Sequence, residues 1–177
     1  MWIYIYMYIF TRLNDIVIIV LMIGTLSIVF SILLHLVGFS TTYWYKNGSV
    51  HSGIWKWCNP TNCYNINLKG PDADTMYSVQ TIEIITSLCY LIVFSCITLK
   101  MHFLKERKGL YPTICINTIL GAVFGIIGVI MYTTLDSFQW STIHFSFVFM
   151  IIASIGGIIG SFLVFLGYRS IRQYSEL

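Results

Sequence analysis

The chain has 177 residues, of which 57% are hydrophobic and 10% charged, and its formal net charge is +3. An ordinary soluble domain carries about 25% charged residues, so this composition excludes a typical soluble globular protein. A net charge this small identifies no partner, because the placement of charges matters more than their sum, and nothing in it indicates nucleic-acid binding.

Four long apolar blocks follow one another along the chain. They cover residues 16–39, 81–101, 112–135 and 143–167. Each has 21 to 25 residues, which at 1.5 Å per helical residue gives about 31 to 38 Å, enough to cross a hydrocarbon core about 30 Å thick. We therefore predict an integral membrane protein, mainly α, built as one domain over residues 1–177 around a four-helix transmembrane bundle.

The first ten residues, MWIYIYMYIF, are too short to span a membrane and are rich in aromatic side chains. Three interpretations stay open: a segment on the membrane surface, an extension of the first helix, or residues outside the mature protein. The first apolar block is too long for a cleaved signal peptide, whose apolar core has about 7 to 15 residues, so we expect it to be retained.

The basic residues predict the orientation. Seven of the ten Lys and Arg lie before span one, at the end of span two or between spans two and three, or after span four, and such residues accumulate on the cytoplasmic side. We expect cytoplasmic N and C termini, a cytoplasmic loop at 102–111 and a cytoplasmic tail at 168–177. The outer loops are then 40–80 and 136–142, and the plasma membrane is the expected location.

The sequence of the first outer loop is typical of a small antiparallel sheet. Residues 41–45 are β-branched and aromatic, residues 50–57 follow Asn47-Gly48, and residues 64–68 alternate apolar and polar side chains. Asn-Gly is a strong hairpin-turn signal. A sheet this small is marginal alone, so we expect further anchorage from the interfacial tryptophans of the loop, Trp44, Trp55 and Trp57.

Two features agree with an extracellular or lumenal location for this loop. Asn47-Gly48-Ser49 is the only glycosylation sequon of the chain that proline does not disqualify. Cys58 and Cys63 are the only cysteines outside the apolar blocks. A disulfide is the favoured interpretation; the alternative, a metal pair, lacks a third and fourth ligand nearby.

One cluster of residues in this loop resembles a known family. Trp44, then Gly53-Ile54-Trp55, then Cys58 and Cys63, are similar to the W…GLW…C…C pattern of claudins and their relatives, which include the peripheral myelin and epithelial membrane proteins and the calcium-channel γ subunits. Four residues separate the two cysteines, closer than is usual in claudins, and this predicts a short turn between the strands that carry them.

The resemblance implies a left-handed four-helix bundle under an outer sheet, with residues 136–140 adding an edge strand. It also implies a structural role in cell–cell junctions, barriers or membrane organisation, through self-association of the sheet in cis or in trans. The alternative is an auxiliary subunit of the γ type that modulates an ion channel. Glu83 and Tyr64 depart from the claudin pattern and argue against a charge-selective paracellular pore.

Small residues in the third and fourth spans predict close helix packing, either within the bundle or between molecules. These residues are Gly121, Gly125, Gly128, Gly156 and Gly160.

Two ionisable residues, His35 and Glu83, lie near the outer ends of spans one and two. They either pair with each other or reach interfacial water separately.

At the C-terminus, Ser175 and Leu177 fit the Ser-x-Leu pattern of a ligand for a PDZ scaffold. No catalytic, metal-binding or cofactor motif is present in the sequence, so we expect neither an enzyme nor a cofactor.

Overall fold

The computed structural model describes residues 2–66, 71–103, 109–135 and 140–174. In these parts of the chain four helices surround the core: α1 (Trp2–Ser40), α2 (Pro71–His102), α3 (Leu110–Thr133) and α4 (Phe145–Tyr174). Four short strands lie between α1 and α2: β1 (Tyr45–Asn47), β2 (Val50–Ser52), β3 (Lys56–Cys58) and β4 (Cys63–Asn65). The predicted class, a mainly helical chain with a small antiparallel sheet, is confirmed.

Four helices among the described residues are long and apolar enough to cross a membrane. Large apolar side chains cover their outer surfaces; Leu26 is 64% exposed and Leu91 is 60% exposed. A helix that is apolar all round suits a membrane span, because lipid replaces water on its outer face. These features indicate a multi-pass membrane protein.

Each helix packs mainly against one or two of the others. α1 contacts mainly α4, α4 contacts α3, and α3 contacts α2, whereas the direct contact of α1 with α2 is much smaller. Two buried apolar clusters fill the bundle. One includes Ile28 and Val93, and the other includes Trp44 and Phe147 below the sheet. Polar side chains lie between the two clusters along each helix.

The helices do not end where the apolar blocks end. α2 begins at Pro71, ten residues before the predicted span, and α4 continues to Tyr174, well into the predicted tail. Proline is favoured in the first turn of a helix, and Asp72 and Asp74 in that turn of α2 complement the helix dipole. α1 extends back to Trp2. Of the three interpretations of the first ten residues, this is the one in which they extend the first helix.

The strands pair in chain order, β1-β2-β3-β4, and all pairs are antiparallel. Asn47 pairs with Val50, so the turn contains Gly48 and Ser49 rather than Asn47 and Gly48. Gly48 has φ +60°, the conformation that a two-residue hairpin turn with glycine first requires.

Two of the predicted strand ranges were wrong. The range 41–45 contributes only its last residue to β1, and the range 50–57 is divided into β2 and β3. The division occurs at Gly53, whose N–H donates to the Lys56 carbonyl oxygen at 2.9 Å. A turn at this point directs Ile54 and Trp55 towards the helices, which a continuous strand would not do.

The described part of the second outer loop meets the sheet just before α4. Trp140–Thr142 is a short 3-10 helix, and Ile143 forms an isolated antiparallel bridge with Tyr45. The rest of the predicted edge strand, residues 136–139, lies outside the described residues, as do 67–70 and 104–108. Ile143, just before α4, therefore lies beside β1, the first edge strand of the sheet.

Candidate functional site

Two tryptophans fix the sheet to the outer end of α1. The Trp44 indole Nε1 donates to the Gly38 carbonyl oxygen at 2.7 Å, and the Trp55 Nε1 donates to the Phe39 carbonyl oxygen at 2.9 Å. The last carbonyls of a helix have no partner within the helix. The two indoles supply these missing partners, so the predicted anchorage by Trp44 and Trp55 has a hydrogen-bonding basis.

Trp44 is also the largest fully buried side chain of the core. It is 0% exposed, and its ring packs edge to face on Tyr132 at 4.9 Å and on Phe147 at 5.8 Å between ring centroids. These two residues belong to α3 and α4. One side chain of the outer segment thus contacts three of the four helices.

Gly53 packs directly against the backbone that follows α1. A Cβ atom at this position would collide with the Thr41 carbonyl oxygen and would lie 2.9 Å from the Thr42 Cα. The next residue, Ile54, is 0% exposed, and its carbonyl oxygen accepts a hydrogen bond from the Gln80 side chain on α2 at 2.6 Å. The Gly-Ile-Trp motif therefore connects the sheet to the bundle through backbone packing and hydrogen bonds.

The predicted disulfide is confirmed. Cys58 and Cys63 are bonded, face each other across β3 and β4, and have Cα atoms 4.0 Å apart. In the loop between them the Asn59 side-chain oxygen accepts hydrogen bonds from the Thr61 and Asn62 backbone N–H groups at 3.1 and 2.8 Å. The short spacing is accommodated by this turn, and the bond rules out the alternative in which both thiols bind a metal.

Among the described residues, no strand pairs with the far edge of the sheet, which we call the open β4 edge. β4 is the last strand of the described sheet, and all three of its residues are exposed. Trp57 and Tyr64 are register partners on β3 and β4, their ring centroids are 6.2 Å apart, and they are 40% and 52% exposed. We call these two residues the aromatic patch. The Trp57 ring packs on Tyr64 rather than in the core, and its anchorage at the membrane surface stays a prediction.

The glycosylation sequon lies at the opposite edge. Asn47 is exposed at the end of β1, three strands away from β4. A glycan attached here would leave the open edge and the aromatic patch accessible.

A buried polar group lies beneath the sheet between α1 and α2. His35 Nδ1 is 3.9 Å from Glu83 Oε2, and His35 Nε2 is 2.9 Å from Ser87 Oγ. His35 is 1% exposed and Glu83 is 0% exposed. The predicted proximity of the two residues is confirmed, and the alternative in which each reaches water separately is wrong.

The five predicted packing glycines face other helices of the same bundle. A Cβ atom at Gly128 would collide with the Glu83 carboxyl group, and one at Gly125 would lie 2.8 Å from Ser154 Oγ. The remaining three face, respectively, Tyr90, Ser31 and Ile28; these glycines are Gly121, Gly156 and Gly160. This surface of small residues is used for packing within the molecule.

Two residues of the site and one pairing were not predicted from the sequence. Ser87 and Tyr90 follow Glu83 at four and seven residues, the spacing that places side chains on one helix face, and this signal was present in the sequence. The pairing of Trp57 with Tyr64 depends on the strand register and had no comparable signal. Ser175 and Leu177 lie outside the described residues, and the PDZ ligand stays a prediction.

A comparison with protein-family models and with curated proteins finds no match to this chain.

Proposed function

We propose that this chain is a claudin- or myelin-protein-like four-span membrane protein that organises cell–cell contacts through self-association of its outer sheet. It would lie in the plasma membrane with both termini in the cytoplasm, as the distribution of basic residues indicates. The observation that carries the proposal is the open β4 edge beside the aromatic patch, on a sheet fixed to the bundle.

The β4 edge supplies the directional part of the association. An edge strand presents unpaired N–H and C=O groups, and a strand of another molecule can pair with them. On the β1 side, Tyr45 already pairs with Ile143 through an isolated bridge. Among its described strands the sheet therefore offers one edge to a neighbour, which favours an ordered contact over random aggregation.

The aromatic patch supplies the apolar part. Tryptophan and tyrosine are the residues most enriched at the energetic centres of interfaces, and the disulfide holds Trp57 and Tyr64 on a fixed hairpin. A single contact through a three-residue strand and two rings is far below the area of about 1,200 Å² that a stable interface buries. Strong adhesion therefore requires many copies in one membrane, as multivalent binding does.

The experiment is expression of the chain in cells that lack junctions, followed by freeze-fracture imaging of the cell contacts. We expect ordered strands or particle arrays at contacts with the native chain and their loss with Trp57→Ser combined with Tyr64→Ser. The matched control is Tyr77→Ser, which removes another aromatic side chain that is 52% exposed but lies on α2 and not on the sheet.

Arrays that persist in the patch variant would overturn the role of the aromatic patch. Absence of arrays with the native chain, together with co-purification of a channel protein, would support the γ-type subunit instead.

A further inference from the structure

The buried polar group beneath the sheet has defined donors and acceptors, and Ser87 fixes them. The Ser87 hydroxyl donates to the Glu83 carbonyl oxygen at 2.9 Å. A hydroxyl has one proton to donate, so Ser87 Oγ must be the acceptor in its 2.9 Å contact with His35 Nε2. The Nε2 atom of His35 therefore carries a proton.

This assignment leaves Nδ1 of His35 facing Glu83. With Nε2 protonated, a neutral imidazole presents a lone pair at Nδ1, and this atom is 3.9 Å from Glu83 Oε2. Neither carboxyl oxygen of Glu83 accepts a hydrogen bond from a described residue. A carboxylate facing a lone pair would be repelled, and its burial without a donor or a counter-charge is strongly unfavourable.

In the described parts of the chain, aromatic and small residues surround the pair. The Tyr90 ring packs edge to face on His35 at 5.0 Å, and Phe39 stacks on its other side at 5.9 Å. On α3, Gly128 faces the Glu83 carboxyl group. Residues 112–135 and 145–167 contain no Asp, Glu, Lys or Arg, so α3 and α4 bring no compensating side chain to the pair from within their apolar spans.

We propose that His35 and Glu83 form a proton-binding site that holds one proton between Nδ1 and the carboxyl group. On Nδ1 the proton makes an imidazolium–carboxylate pair, and on the carboxyl group it makes a neutral acid beside a neutral ring. Both arrangements have zero net charge inside the apolar bundle. Loss of this proton, or gain of a second one, leaves a net charge there. The inference does not depend on the role of the outer sheet.

The test counts the protons of the pair in the purified full-length chain, held in lipid nanodiscs at pH 7. Nitrogen-15 NMR of labelled histidine reports which ring nitrogens are protonated, and the His35→Gln spectrum assigns the His35 signals. Infrared spectroscopy with carbon-13-labelled glutamate reports whether a carboxylic acid band is present, and the Glu83→Gln spectrum assigns that band to Glu83.

We expect one of two results: a Glu83 acid band with His35 protonated at Nε2 alone, or no acid band with both His35 nitrogens protonated. A carboxylate with a neutral ring, which has no shared proton, would overturn the site. An acid band with a doubly protonated ring, which has two protons, would also overturn it.

The Glu83→Gln variant gives a second check. Its side chain is neutral, so the His35 ring should be neutral at pH 7 with the proton on Nε2, and a doubly protonated ring in this variant contradicts the proposal. If Glu83→Gln does not fold, Glu106→Gln with Glu176→Gln removes the two other glutamates of the chain. The Glu83 band is then observed alone in an unaltered bundle core.

Discussion

Trp55 and Phe39 meet twice: the indole N–H donates to the Phe39 carbonyl oxygen at 2.9 Å, and the two rings pack edge to face at 5.2 Å. The hydrogen bond involves the backbone of α1, while the ring contact involves its side chain. Sheet and helix are thus joined by one polar and one apolar interaction from a single residue, and these can be separated experimentally.

Trp55→Phe keeps a ring in the ring contact but removes the N–H donor. We expect a loss of about 0.5–1.5 kcal/mol in the free energy of unfolding, the usual net contribution of one hydrogen bond, measured by chemical unfolding in detergent. Trp57→Phe is the matched control, because Trp57 is exposed, and its effect should be near zero. Equal losses in the two variants would contradict the role of the Trp55 N–H.

Removal of the disulfide should weaken the sheet without unfolding the helices. For a loop as short as that between Cys58 and Cys63, chain-entropy arguments give about 2 kcal/mol. We expect Cys58→Ser with Cys63→Ser to lower the unfolding midpoint and to leave the helical circular dichroism signal unchanged.

The bond itself is checked by alkylation and mass spectrometry of the unfolded chain. The native protein should take up three labels, at Cys89, Cys96 and Cys115, and five labels only after reduction. Five labels without reduction would contradict the pairing.

Gly53→Ala tests the close approach of the sheet to the backbone that follows α1. The added methyl group would collide with backbone atoms of Thr41 and Thr42, and overpacking of this kind destabilises by about 1–3 kcal/mol. We expect a lower unfolding midpoint and less protein at the cell surface. Gly109→Ala is the control, since a Cβ atom there meets nothing within 4 Å; a comparable loss in the control would remove the steric explanation.

The orientation can be tested at the sequon. If residues 41–66 face the cell exterior, Asn47 should carry a glycan, and digestion with a glycosidase should increase the electrophoretic mobility of the native chain but not of Asn47→Gln. A new sequon introduced into the 104–108 segment should remain unmodified. Modification of the new sequon with Asn47 unmodified would reverse the proposed topology.

The sequence predicted those features that depend on local composition. Apolar length identified the four helices, and the Asn47-Gly48 pair identified the first hairpin within one residue. Helix ends were predicted less well, because hydropathy marks where lipid would lie, whereas α2 extends to Pro71 through polar residues with favourable helix-start chemistry.

The long-range contacts were accessible only in part. The proximity of His35 to Glu83 followed from similar depth in neighbouring spans, but the role of Ser87 in assigning the proton required atomic distances. Trp44 packs against Tyr132 and Phe147. Predicting this contact required knowledge of which helices are neighbours. Such contacts depend on tertiary packing, which no local pattern specifies.

The caps that Trp44 and Trp55 place on the last turn of α1 have a mechanical consequence. A transmembrane helix changes its tilt when the thickness of the surrounding bilayer changes. Because the two indoles tie the sheet to the end of α1 and Trp44 also packs on α3 and α4, the sheet turns with the bundle when its helices tilt, and the angle of the open β4 edge changes with it. In the proposed association, bilayer thickness would then set the angle at which the β4 edges of neighbouring molecules meet.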